Sequence, residues 1–217
     1  MTDKLPTLEP EGVYHIYSHA VRNSNLFNNL PDYTRFINKY KEYISPIAQT
    51  YSYCLMPNHL HFVVKLKSET ELKTFYRAKS RKIVVENGTD SDITPEQLKQ
   101  LNSKQFANLF SSYTQSTNRI TQKKGGLFER PFKRKRIFDR PYFKRLIIYT
   151  HRNPIHHGFC SSFEDWSHSS WWSLVFDHAE TWLQRATVFN VFESKQGFLT
   201  QHYEHLDNFN DLMLFDE

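Results

Sequence analysis

Two histidines separated by one leucine, His59 and His61, sit in the stretch "YCLMPNHLHFVVKLK" at 53–67, which otherwise reads as a buried strand. On a strand, residues i and i+2 point to the same face, so both imidazoles look one way while Leu60 and Phe62 look the other. Imidazoles held side by side on a rigid strand can chelate one divalent metal. The same pair also fits two hydrogen-bonded sheet histidines. A histidine-triad hydrolase would need a third histidine where Val63 stands. A structural zinc site would need two more Cys or His, and Cys54 is the nearby sulfur. A two-histidine site completed by oxygen ligands remains, which suits Mg²⁺ or Mn²⁺ acting on phosphate.

A second stretch, "RPYFKRLIIYTHRNPIHHG" at 140–158, carries a candidate nucleophile. Tyr149 and Asn153 are four residues apart, hence neighbours on one helix face, and Tyr142 and Leu146 extend that stripe. An aromatic on an apolar stripe commonly belongs to the core. The Asn153 amide, however, needs a polar partner on a face directed at a sheet. If this face meets the histidine face, His59, His61 and the Asn153 side-chain oxygen can hold a metal with Tyr149 beside it. The tyrosine oxygen could then attack a polarised phosphodiester. Tyr113, in "NLFSSYTQSTNR", is a competing helical tyrosine, but its +4 position is Thr117, and Asn118 is rotated away. We expect Tyr113 in the core or stacked on DNA.

These residues need a scaffold. The chain has 217 residues, 39% hydrophobic and 16% aromatic, which places it among folded proteins with one proper core. "VYHIYSH" at 13–19 alternates as a first strand. "PDYTRFINKYKEYI" has helical spacing through Tyr33, Phe36, Ile37 and Tyr40. "IAQTYSYCL" and "HLHFVVKL" form a hairpin around Met56-Pro57-Asn58. A helix is predicted from about Glu69 to Val85, followed by a loop over 87–97 with Thr94 able to cap a helix at Pro95. A further helix should run from about Ser103 to Gln122, ended by "KKGG". "LFERPFKRKRIF" reads as a basic strand or loop, and "RPYFKRLIIYTHRN" as a helix stopped by Pro154. This order gives an α+β fold, a small antiparallel sheet with helices packed on one face.

Charge distribution says more than the net +5. Arg119 to Arg145 holds eleven Lys and Arg against Glu129 and Asp139, whereas the last fifteen residues hold five acids and neither Lys nor Arg. A basic middle implies a polyanion site, with nucleic acid first among candidates, although a solvated helix face would look similar. Arg130, Lys133, Arg134, Lys135 and Arg136 interleave with Phe128, Phe132 and Phe138, a mixture suited to a nucleic-acid backbone and its bases. Strand alternation would divide them between two faces, and a charged edge guarded against aggregation is the alternative. His15 and His19 can approach the site or simply be satisfied sheet histidines, and His156 and His157 can reach phosphate from a loop.

Two cysteines give no disulfide framework, and no stretch approaches the ~20 apolar residues of a membrane span. We expect a cytoplasmic protein with no membrane partner.

"MPNHLHFVVK" followed by "YTHRNPIHHG" resembles the single-tyrosine HUH transposases, particularly the REP-associated tyrosine transposases and their insertion-sequence relatives. "GGLFERPFKRKRI" and "WSHSSW" are similar to further blocks of that family, and the likeness covers most of residues 12–160. The resemblance implies a ferredoxin-like fold, a divalent metal held by His59, His61 and Asn153, and Tyr149 as nucleophile. It further implies cleavage and rejoining of single-stranded DNA through a 5′-phosphotyrosine that leaves a free 3′-hydroxyl. Hairpin-containing DNA is the expected partner. A homodimer is compatible with relatives in which the tyrosine helix completes the partner's site. A domesticated protein that binds a hairpin or single strand without cutting it is the alternative. We expect a catalytic domain over 1–160 and a helical C-terminal accessory segment over 161–217 packed on it, with Trp166, Trp171, Trp172 and Trp182 as clamps.

Overall fold

The computed structural model describes residues 5–81, 93–176 and 181–204. Four strands form one antiparallel sheet: β1 Val13–His19, β2 Ala48–Leu55, β3 His59–Leu66 and β4 Lys133–Ile137, in the order β2-β3-β1-β4. Between β1 and β2 runs α1, Leu30–Ile44. Helices α2, Glu69–Arg81, and α3, Pro95–Thr121, connect β3 to β4. This is the ferredoxin-like order anticipated from the sequence.

One sheet face is apolar because the even positions of β1 and β3 are apolar except for Ser18. Tyr14, Ile16, Phe62 and Val64 turn towards α1 and α3. Tyr40 of α1 stacks on Phe62 at 4.1 Å between ring centroids, and Phe36 meets Tyr113 of α3 edge-on at 5.1 Å. Each such ring removed from water contributes roughly 1.5–3 kcal/mol, so this layer carries much of the core.

The opposite face receives α4, Arg140–His156, which packs on β2 and β3. A β-bulge at Tyr51 breaks the regular pairing of β2, and Tyr51 meets Phe143 of α4 edge-on. Helices thus lie on both faces, with α1 and α3 on one and α4 on the other, whereas the sequence leads us to expect them on one face.

Local chemistry explains the boundaries. Asn29 and Asp139 cap α1 and α4 by accepting backbone N–H bonds from Asp32 and Tyr142. Thr94 and Gln97 form a reciprocal capping box at the start of α3. The separate helix expected from Ser103 is part of this one continuous helix, because Asn102 faces inward and bridges the Tyr76 hydroxyl and the Leu8 carbonyl. The predicted helix from Glu69 is described to Arg81, and residues 82–92 lie outside the described residues. Pro154 does not stop α4. It sits in the last turn, where its missing N–H removes only one helical bond, and the chain continues to His156.

The C-terminal elements α5 Trp171–Val175, α6 Arg185–Val191 and α7 Lys195–Glu204 cover the outer side of α4. His151 of α4 bonds His202 of α7 at 3.0 Å and the Ser170 hydroxyl at 2.6 Å. The same segment shields the edge of β2: Leu55 N–H donates to the His168 carbonyl, and Ser170 N–H to that of Tyr53. Trp171 is buried, Trp166 donates to the Leu55 carbonyl, and Trp182 packs on Tyr53. No helix among the described residues is long and apolar enough to cross a membrane.

Candidate metal and tyrosine site

His59 and His61 are the first and third residues of β3, directly after the Met56-Pro57-Asn58 turn. That turn is pinned from outside, since the Pro57 carbonyl accepts from Leu26 and Phe27 N–H and the Asn58 carbonyl from Ala20 N–H. The two imidazoles therefore project from a fixed start of strand, with centroids 5.1 Å apart and planes at 88°. Both residues are 3% exposed.

Facing them is α4. Asn153 Oδ1 lies 2.7 Å from His59 Nε2, while the other His59 nitrogen, Nδ1, lies 2.8 Å from Asn58 Oδ1. Tyr149, one turn earlier, sets its ring edge-on to His61 at 5.4 Å and to His15 at 6.1 Å. The structure thus brings together the two strand histidines, the helical amide and the helical tyrosine that the sequence offers separately. Tyr113 is elsewhere. It is buried on the α1/α3 side of the sheet, its hydroxyl donating to the Leu26 carbonyl, and burial raises its pKa.

The polar bookkeeping fits a cation. A neutral imidazole carries one N–H and one lone pair. If His59 Nδ1–H donates to Asn58 Oδ1, the Nε2 lone pair confronts the Asn153 oxygen lone pair. His61 Nε2 is buried with no hydrogen-bond partner, as is Asn153 Nδ2. Two acceptors face to face beside a third unpartnered nitrogen are the donors that an intermediate divalent cation requires. No group of three or more His, Cys, Asp or Glu that could hold a metal occurs among the described residues. The third donor in this arrangement is an amide oxygen. Burial, followed by the charges of neighbouring histidines, lowers the His61 pKa well below the ordinary range. It is thereby held neutral, the form a metal ligand needs.

Two neighbours carried no decisive sequence signal. His15 and His19 lie on β1 against β3: His15 Nε2 is 2.9 Å from His61 Nδ1, and His19 stacks on His59 at 5.0 Å. Burial, with a smaller contribution from Lys135, lowers the His15 pKa to about 3. At the solvent edge the exposed His157 meets His59 at 4.9 Å between ring centroids. Tyr17 also stacks near His15 and His61, and burial raises its pKa. Alternation along β1 and β3 was visible, but which strands become neighbours was not.

The basic block divides as alternation requires. Lys133 pairs in register with Tyr17 and Lys135 with His15, so both share the histidine face. Arg134 and Arg136 turn to the other face. There Arg134 Nε donates to the Pro6 carbonyl and Arg136 forms an ion pair with Glu9, tying the N-terminal segment across the sheet. Four of the five cations grouped in the sequence are thus resolved into two sets. Arg130 precedes β4 in an exposed loop beside a groove of about 700 Å³ lined by Lys104, Phe110, Phe128 and Phe132.

No protein-family model and no curated protein matches the sequence. A solved structure of a REP-associated tyrosine transposase bound to a REP hairpin superposes with a TM-score of 0.56 at 14% identity, over 84% of this chain and 90% of that one. The chain therefore shares its fold with that REP-associated tyrosine transposase.

Proposed function

We propose that this protein is a metal-dependent DNA nuclease and strand transferase of transposase type, using Tyr149 as the nucleophile. The observation that carries this reading is the convergence of His59, His61 and Asn153 donor atoms beside Tyr149. Each residue arrives on a rigid strand or helix, and the shared fold with a hairpin-bound transposase supports it.

His59 Nε2, His61 Nε2 and Asn153 Oδ1 would hold Mg²⁺ or Mn²⁺. When bound, the cation supplies Lewis-acid polarisation of a phosphodiester. Asn58 fixes the His59 ring by accepting its Nδ1–H. The Tyr149 oxygen attacks phosphorus, forming a phosphotyrosine bond while the bond to the 3′ oxygen breaks. The phenolic proton ends on that departing oxygen, so the step yields a 5′-phosphotyrosine and a free 3′-hydroxyl. Attack by a 3′-hydroxyl on the phosphotyrosine reverses the exchange, which permits rejoining without an external energy source.

Lys133 and Lys135, on the histidine face, would neutralise the phosphates of the incoming strand, with Arg130 beyond them. Single-stranded DNA with a hairpin is the substrate this reading assigns.

The test incubates purified protein with labelled hairpin oligonucleotides and Mn²⁺, followed by a denaturing gel. A labelled band at protein size, absent with chelator and in Tyr149→Phe, is the expected result. Tight hairpin binding with no adduct or cleavage in any divalent metal would replace it with a non-cutting DNA-binding role.

A further inference from the structure

His15 is fully buried on β1, and it is an imidazole aimed at another imidazole. Its Nε2 lies 2.9 Å from His61 Nδ1, diagonally across the β1–β3 pair, and the rings stack at 5.1 Å and 17°. Tyr17 stacks on it at 4.7 Å, and Tyr149 packs edge-on to it and to His61. Four rings thus hold one another in place around a single nitrogen-to-nitrogen contact.

That contact admits two proton arrangements. Either His61 Nδ1–H donates to His15 Nε2, or His15 Nε2–H donates to His61 Nδ1. Each leaves one outer nitrogen with a hydrogen and the other with a lone pair. The outer nitrogens, His15 Nδ1 and His61 Nε2, are both buried without a hydrogen-bond partner. The pair alone is therefore nearly balanced, and a cation decides it, because only the first arrangement leaves His61 Nε2 a lone pair to offer.

We propose that His15 is a positioning residue for the metal site, accepting the Nδ1–H of His61 so that His61 presents Nε2 to the cation. This rests on the metal-site reading above. It gives His61 the same support that Asn58 gives His59, with each ring's Nδ1–H received by a fixed acceptor. Without His15, a metal-bound His61 would bury its Nδ1–H with no acceptor, and metal affinity would fall by about 10- to 100-fold. The substrate need not touch His15 for this effect.

The test compares Mn²⁺ affinity, read from free Mn²⁺ by electron paramagnetic resonance without DNA, in wild type, His15→Leu and His15→Gln. Glutamine can place its amide oxygen near the former Nε2 and accept the same proton, whereas leucine cannot. The expected result is a loss of about 10- to 100-fold in His15→Leu, with most of the affinity recovered in His15→Gln. Thermal unfolding without metal accompanies each variant, since a merely structural role would shift stability and not metal affinity. Nitrogen-15 spectra of Mg²⁺-saturated wild type supply a readout that needs no variant: His61 should be protonated at Nδ1 and bare at Nε2. Wild-type affinity in His15→Leu, or an Nε2–H on His61 in the Mg²⁺ form, would overturn the role of His15 and leave the metal site standing. No Mn²⁺ or Mg²⁺ binding by wild type, with His61 folded as described, would overturn both.

Discussion

Asn153 Oδ1 lies 2.7 Å from His59 Nε2, across the gap between α4 and β3. Because His59 Nδ1 already faces the Asn58 oxygen, a neutral His59 cannot donate to both amides. A shared cation removes the conflict, and Asn153 then acts through its oxygen alone. Asn153→Asp keeps that oxygen and adds charge, so it should retain or tighten Mn²⁺ binding. Asn153→Leu should weaken it by about tenfold or more, the scale of a lost ligand or its support. Calorimetric titration of both variants checks this, and equal affinities would remove Asn153 from the site.

Tyr149→Phe removes one oxygen from a ring held against His15 and His61. It should abolish the covalent DNA adduct while leaving hairpin affinity within about threefold, since less than 1 kcal/mol of binding depends on that atom. Tyr113→Phe is the contrasting variant. It loses the hydrogen bond to the Leu26 carbonyl, on the other side of the sheet, and should cost about 0.5–1.5 kcal/mol of stability with full adduct formation. Gel analysis of adducts and chemical denaturation of the two variants separate the roles.

Lys133 and Lys135 share the histidine face, whereas Arg134 and Arg136 face the N-terminal segment. Replacing either lysine by glutamine should lower the slope of log affinity against log salt by about 0.7 for single-stranded DNA, one phosphate contact each. Arg136→Gln should leave that slope unchanged. Fluorescence anisotropy across a salt series decides it, and equal slope changes at all three positions would dissolve the two-face division.

The strands and most helix ends were legible because their signals are local. Alternation marks β1 and β3, the hairpin turn is written in Met56-Pro57-Asn58, and Thr94 before Pro95 announces the start of α3. The tyrosine and its amide were legible for the same reason, being four residues apart on one helix. The contact between His15 and His61 was not, since it joins residues 46 apart and depends on which strands become neighbours. Pro154 misled for a physical reason: a proline usually ends a helix, but here only the last turn follows it. The buried His151 on α4 gave no signal either, because its partners, Ser170 and His202, arrive from the C-terminal segment.

Metal should stabilise the folded chain by mass action, because the donors converge only when α4 lies on β3. At a hundredfold excess over the dissociation constant, Mn²⁺ should add about 2.7 kcal/mol and raise the unfolding midpoint by several degrees. Chelator should reverse the shift. His61→Ala should show none, since it removes the nitrogen left without a partner. Differential scanning calorimetry with and without Mn²⁺ measures it, and an equal shift in wild type and His61→Ala would place the metal elsewhere.

Glu9 fastens the N-terminal segment to β4 through Arg136, and Lys99 of α3 approaches the same carboxylate at 3.5 Å. The bond from Arg136 is the main reason the Glu9 carboxyl titrates below its usual value of 4.5; partial burial opposes the shift. A carboxyl whose folded pKa is depressed binds protons less readily folded than unfolded, so its contribution is present above about pH 4.5 and lost as pH falls below it. The groups are a third exposed, and water screens the pair, which limits the contribution to about 1 kcal/mol or less. Glu9→Gln should therefore unfold at lower denaturant than wild type at pH 7, with the difference shrinking towards pH 3. Denaturation of both proteins at the two pH values tests the sign: a difference that grew on acidification would mean that Glu9 is not held by Arg136 in solution.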